Sequence, residues 1–269
     1  MAVPAASAAN RTVVAMHGVS KVFSNGTLAL SNMSLTVGQG EFLSLLGPSG
    51  CGKSTALRII AGLGAPSSGR IEWPASTINA KGLPQGDIGF VFQDPTLMPW
   101  ATVFGNVYLP LKLQGIGKDA ARPRIMETLA TVGLADFAEA YPRELSGGMK
   151  MRVSIARALV TNPKLLLMDE PFAALDEITR QKLNDDVLEL WRRSGVTVVF
   201  VTHSVFESAY LSNRIVVMRS RPGQVYADLP LETSATRSEA YRTSEEYRAT
   251  TALVSKALQD AIHAGGGNH

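Results

Sequence analysis

The sequence predicts an α/β fold built on a parallel sheet, and three observations carry that prediction. Residues 41–46 form a short apolar run that ends in a glycine-rich loop and opens a helical pattern at Ala56. Residues 165–168, all Leu or Met, form a second run that ends in Asp169 and Glu170. Residues 196–201 form a third, β-branched run behind the amphipathic spacing of Leu183, Val187 and Leu190. Short continuous apolar runs suit strands covered on both faces, and a helix between two of them is the crossover that parallel strands require.

The loop after the first run reads Gly47-Pro48-Ser49-Gly50-Cys51-Gly52-Lys53-Ser54-Thr55. This spacing is that of a phosphate-binding loop. Glycines let backbone N–H groups close around a polyphosphate, Lys53 supplies a point charge, Ser54 offers a hydroxyl to Mg²⁺, and the following helix aims its N-terminus at the anion. Asp169 and Glu170 stand where open α/β sheets place ligand chemistry, at the C-terminal end of a strand. Leu145-Ser146-Gly147-Gly148 opens a helix whose apolar face is Val153, Ile155, Ala156 and Leu159, so Ser146, Gly147 and Gly148 form a second candidate anion contact. Cys51 is the one cysteine. Lys53 and the loop amides predict a favoured thiolate at Cys51, the alternative being a side chain turned into the core. A single cysteine also excludes an internal disulfide and suits a reducing compartment.

The elements follow in order. Residues 16–23 and 30–37 read as strands that lead into the loop strand, and residues 87–92 as another. From Gln93 to about Val160 the pattern turns helical, with breaks expected at Pro99, Gly105, Pro110, Gly115 and Gly117. After about Pro222 the chain becomes polar, until Tyr247, Thr251, Val254, Leu258 and Ile262 mark a final helix ahead of a frayed Gly265-Gly266-Gly267 end. No internal repeat is visible.

Composition sets limits. With 269 residues, 45% of them hydrophobic, the chain can bury a sizeable core. No apolar stretch approaches the roughly 20 residues that span a bilayer, and Met1 to Asn10 lack the basic and apolar regions of a secretory signal. The histidines His17, His203, His263 and His269 show no metal-ligand spacing. The net charge of +3 is mildly basic, which could hint at nucleic acid, but the charges are scattered and a solvated surface near an anionic membrane explains them as well.

Taken together, these motifs resemble those of the nucleotide-binding subunits of ABC transporters, over most of the chain. Beyond the loop, the Ser146 segment and the carboxylate pair, the resemblance rests on Phe23, on Gln93 in Val91-Phe92-Gln93-Asp94, on Ala174-Leu175-Asp176, and on His203 in Val201-Thr202-His203-Ser204. Residues 93–100 and the variant signature with Met149 and Arg152 are further similar to the branch whose importers take up nitrate, sulfonates or taurine. Met149 stands where most such subunits carry Gln, which leaves the Ser-Gly-Gly contact intact but not a hydrogen bond from that side chain.

The resemblance implies a RecA-like P-loop NTPase core with an antiparallel β subdomain and an inserted α-helical subdomain. It implies an ATP-binding domain over residues 12–245, a helical subdomain over about 94–160, and a C-terminal helix and tail over 246–269. ATP and Mg²⁺ are the implied ligands. Phe23 would stack on adenine unless it is a core aromatic; Lys53 and residues 47–55 would hold phosphates; Ser54, Gln93 and Asp169 would face the metal. Glu170 would act as the general base or polariser of the attacking water, and His203 would reach the γ-phosphate and sense its loss. Ser146, Gly147 and Gly148 would close on ATP held by a second copy of the chain, head to tail. The implied partners are integral-membrane permease subunits and an extracytoplasmic solute-binding protein, with no nucleic acid, at the cytoplasmic face of the cell membrane. Residues 96–108 would meet the permease, with Trp100 either exposed for that purpose or anchoring the core. An ABC exporter and an ABC ATPase acting on nucleic acid are the alternatives. The latter requires a long heptad insertion, which the segment between Thr55 and Ser146 lacks.

Overall fold

The computed structural model describes residues 11–80, 82–231 and 237–265. The first ten residues, Gly266, Gly267 and His269 lie outside them. Strands β1 (Thr12–Val22) and β2 (Leu28–Gly38) run antiparallel and lead to β3 (Phe42–Leu46), the phosphate loop and helix α1 (Lys53–Ile60). Strand β4 (Ser68–Glu72) returns to pair antiparallel with β1, giving a three-stranded sheet in the order β2-β1-β4.

Next come β5 (Ile88–Val91) and helices α2 (Val103–Leu113), α3 (Lys118–Thr131) and α4 (Gly147–Leu159). They are followed by β6 (Leu165–Asp169), α5 (Glu177–Ser194), β7 (Thr197–Thr202), α6 (Val205–Leu211), β8 (Arg214–Arg219), β9 (Gln224–Pro230) and α7 (Glu245–Gly265). The second sheet has the order β5-β6-β7-β3-β8-β9. Its first five members are parallel and β9 is antiparallel.

Every residue of β3, β6 and β7 is buried. Alternate side chains face opposite ways, as the two-residue strand period requires. Phe42, Leu166, Met168, Val198 and Phe200 join the cluster that also holds the apolar faces of α2 to α5. Leu43, Leu45, Leu165, Leu167, Val199 and Val201 join the other, with α1 and the three-stranded sheet. Each large side chain so buried stabilises by roughly 1.5–3 kcal/mol. Because β6, β7 and β3 are neighbours in the sheet, the residues that follow their C-terminal ends meet at one place.

Two sequence expectations need correction here. Gly105 and Pro110 lie inside α2 rather than breaking it. The Gly105 N–H is in the first turn, where the Thr102 side chain accepts it, and Pro110 precedes the helix end by only a few residues. The polar stretch after Pro222 contains β9, whose side chains alternate between half-buried and exposed on the sheet edge. Among the described residues no helix is long and apolar enough to cross a membrane.

Candidate functional site

The phosphate loop leaves β3 and enters α1 through two left-handed glycines, Gly50 at φ 76° and Gly52 at φ 95°. Gly52 is required twice over: its φ disfavours any side chain, and a Cβ there stands 2.7 Å from Leu30 Cδ2 and 2.8 Å from Ala29 O. Gly52 is the residue before the helix and no side chain caps the first turn, so the N–H groups there are available to an anion. Lys53 is buried and its ammonium turns back into the loop, donating to Gly47 O at 2.8 Å and Pro48 O at 3.1 Å.

Beside the loop, Ser54 Oγ donates to Asp169 Oδ1 at 2.7 Å. Asp169 is buried, and that burial raises its carboxyl above the ordinary carboxylate range, with the Ser54 hydrogen bond opposing. A hydroxyl and a desolvated carboxylate oxygen side by side are the hard donors that Mg²⁺ takes, usually keeping several waters. The next residue, Glu170, adopts a left-handed φ of 46°. Its N–H is held by Val201 O at 3.0 Å on the neighbouring strand, so the sheet itself enforces the turn. The carboxylate lies between two cationic or donor groups: Lys53 Nζ at 3.8 Å and His203 Nδ1 at 3.1 Å. His203 is more than half exposed and follows β7 directly.

The structure thus joins Lys53, Ser54, Asp169, Glu170 and His203. Gln93 is exposed just past β5. Phe23 is 45% exposed beyond the end of β1, with Lys21 Nζ 5.8 Å from its ring centre, which rules out a core role. Ser146 caps α4, accepting from Met149 N at 3.3 Å, while Ser146 and Gly147 remain exposed. A Cβ at Gly148 meets Thr179 Cγ2 at 2.6 Å, so glycine there is a packing requirement of α4 on α5.

Cys51 overturns the expected thiolate. Its side chain is 1% exposed, and burial pushes the thiol up from 9.0 despite Lys53. The sulfur faces the core, against α1 and the three-stranded sheet. Tyr108 is also not part of an exposed face: it packs on the helical core and donates its hydroxyl to Ile116 O at 2.9 Å. Trp100, by contrast, is 77% exposed.

Two positioning residues were missed. Asn106 is fully buried; its amide donates to Met98 O, Ala101 O and Thr102 O, and its carbonyl accepts from Met98 N at 2.7 Å. Arg157 donates to Pro95 O at 2.9 Å and Thr96 O at 2.8 Å. Together they fix the segment that runs from Gln93 past Trp100. An Asn on the apolar side of a predicted helix was the available signal.

Residues 30–173 match the family model described as ABC transporter. The chain belongs to the ABC transporter ATP-binding family. It is an ATPase of that type. An aliphatic sulfonates import ATP-binding protein, SsuB of Bacillus licheniformis, is 43% identical across 89% of this chain and 91% of its own length. A nitrate import ATP-binding protein, NrtD of Synechocystis sp., is 41% identical across 88% of this chain and 87% of its own length. Among solved structures, a dimeric ATP-binding cassette in a post-hydrolysis state with ADP and Pi superposes with a TM-score of 0.70 at 35% identity, over 82% of this chain and all of that one.

Proposed function

We infer that this ABC ATPase is the energy-supplying subunit of a membrane importer for a small anion or organic solute such as nitrate, a sulfonate or taurine. The observation that carries the catalytic half of this reading is Glu170, held between Lys53 and His203 beside the Ser54–Asp169 pair. Phosphoryl transfer to water depends on positioning and on stabilising developing negative charge. Lys53 and the backbone N–H groups of the loop, those of Gly47 and residues 49–55, hold the phosphates. Glu170 accepts a proton from the attacking water, His203 orients Glu170 and reads the γ-phosphate, and Gln93 would contact the metal or that water. Mg²⁺, held by Ser54 and Asp169, would neutralise charge on the phosphate oxygens. Phe23 offers an exposed ring for the adenine.

The exposed Ser146 and Gly147 suit a head-to-tail dimer, in which they close on ATP bound to the other copy; the related ADP-bound cassette is a dimer. The transport half rests on the sulfonate and nitrate import relatives and on one surface. Trp100 is exposed, and Thr96, four residues before it, lines a cavity of about 370 Å³ together with Phe90, Phe92, Leu109, Leu113 and Arg157. That surface suits a permease segment at the cytoplasmic membrane face, and a solute-binding protein would complete the system. The test is to purify the chain with its membrane partner, reconstitute the complex in vesicles and follow radiolabelled nitrate, sulfonate and taurine. Movement of one of them toward the side that holds ATP is expected. Movement away from ATP, or turnover stimulated by nucleic acid with no membrane partner, would replace this reading by an exporter or a nucleic-acid ATPase.

A further inference from the structure

Helix α6 is short, is buried from Glu207 to Leu211, and starts two residues after His203. Its first turn is tied to the strand end that carries this histidine. Thr202 Oγ1 donates to Glu207 Oε2 and accepts from Ser204 N at 3.0 Å, and Ser204 Oγ accepts from Glu207 N at 3.2 Å. His203 is therefore bracketed by two residues that are both bonded to Glu207. Any shift of α6 moves that bracket.

The far end of α6 is held from outside. Arg237 is 5% exposed and donates to Tyr210 O and Ser212 O, each at 2.6 Å. The first turn is held as well: Tyr247 on α7 donates its hydroxyl to Phe206 O at 3.0 Å. Arg242 stacks 3.9 Å above the Tyr210 ring and binds Asp185 at 2.7 Å, and Asp185 also accepts from the Tyr210 hydroxyl. The rings of Tyr210, Tyr241 and Tyr247 lie against one another. Apolar side chains alone would tie down a C-terminal segment. A buried guanidinium is costly to desolvate, but it satisfies the carbonyls that a helix leaves open at its end and meets the negative end of its dipole. Burial lowers Arg237 to about 10, which leaves it cationic near neutrality.

We propose that the C-terminal segment, residues 237–265, is a strap that sets the position of His203 through α6, with Arg237 as its principal positioning residue. The inference rests on the assignment of His203 and Glu170 to hydrolysis. It makes turnover dependent on a segment beyond the phosphate loop, the Ser146 signature and the carboxylate pair, and it gives this ATPase a place where a partner that loosens residues 237–265 lowers hydrolysis without entering the ATP site.

The experiment is a double-mutant cycle on the purified full chain, with turnover followed in single-turnover reactions so that slow variants are measurable. Arg237→Met is expected to lower kcat about tenfold, since small misplacements of reacting groups carry large rate penalties, while KM for ATP changes less than twofold. Arg237→Lys restores part of the loss. In a His203→Ala background, Arg237→Met should lower turnover no further, because its effect runs through the missing imidazole. Wild-type kcat in Arg237→Met, or the same fractional loss with and without His203, would overturn the strap. Tyr247→Phe removes only one hydroxyl and provides the same cycle if Arg237→Met does not fold; its expected loss is about threefold. His203→Ala with wild-type turnover would instead overturn the site assignment beneath the proposal, a distinct result.

Discussion

One backbone angle aims the carboxylate on which hydrolysis is proposed to turn. Glu170 holds φ at 46° because β6 ends there and its N–H is claimed by β7. Local propensity opposes that conformation, and only the assembled sheet imposes it. Cys51 illustrates the converse. The potential around the loop was legible from Lys53, but which way the thiol faces depends on packing against Gly47 and the core, and no motif records that. Maleimide labelling of the native protein is therefore expected to be slow, with or without Mg-ATP, and Cys51→Ala should retain turnover and lose about 1 kcal/mol of stability. Rapid labelling that ATP suppresses would return the thiol to the site.

Glu207 gives the pH dependence at this scale. Burial raises its carboxyl above 4.5, with the Thr202 hydrogen bond opposing. The folded value exceeds the unfolded one, so its contribution to stability is complete below the unfolded value and is lost as pH rises through the folded value. Glu207→Gln keeps an acceptor for Thr202 and removes that loss. Denaturation midpoints of the variant should match or exceed wild type at neutral pH and lose that advantage in acid; an equal drop at both pH values would contradict the assignment.

At the scale of elements, legibility followed burial. Strands β3, β6 and β7 are apolar at almost every position because both faces are covered, and each was readable as a run. By contrast β4 is mostly exposed and β9 alternates on an edge, so neither offers a continuous apolar signal. The buried run of β8 was readable in principle, and it was missed beside the polar segment that follows it. Helix α2 carries the clearest consequence. Asn106→Ala removes an amide that joins α2 to residues 98–102 and leaves buried main-chain groups unmet, at a cost of about 1–3 kcal/mol. It should also release the Trp100 segment, lowering recovery of the membrane complex while ATP affinity stays within twofold. Trp100→Ala should reproduce the lost recovery without the stability change. A fall in ATP affinity with the complex intact would place this segment in the nucleotide site instead. Tyr108, read from the sequence as a companion of Trp100, belongs to the core and is expected to cost stability first.

The whole molecule brings together residues far apart in sequence because β6, β7 and β3 are adjacent, each followed at its C-terminal end by part of the site. Lys53, Ser54, Asp169 and Glu170 could be named from motifs because each ends or follows a strand legible as an apolar run, and His203 from the family resemblance. What sequence could not supply was the pairing of Glu170 with His203, the missing contact of the Ser146 segment that a second copy is proposed to complete, and the grip of Arg237 on α6. Hydrolysis by this ATPase is proposed to depend above all on Glu170 as the group that activates water. The most direct measurement is the ATP turnover of Glu170→Gln at saturating Mg-ATP, with ATP affinity determined on the same sample. Turnover should fall by about 10²–10⁴-fold, the usual contribution of a positioned general base, with affinity retained, whereas Lys53→Ala loses affinity. Turnover within a few-fold of wild type, or a loss of ATP binding equal to that of Lys53→Ala, would contradict it.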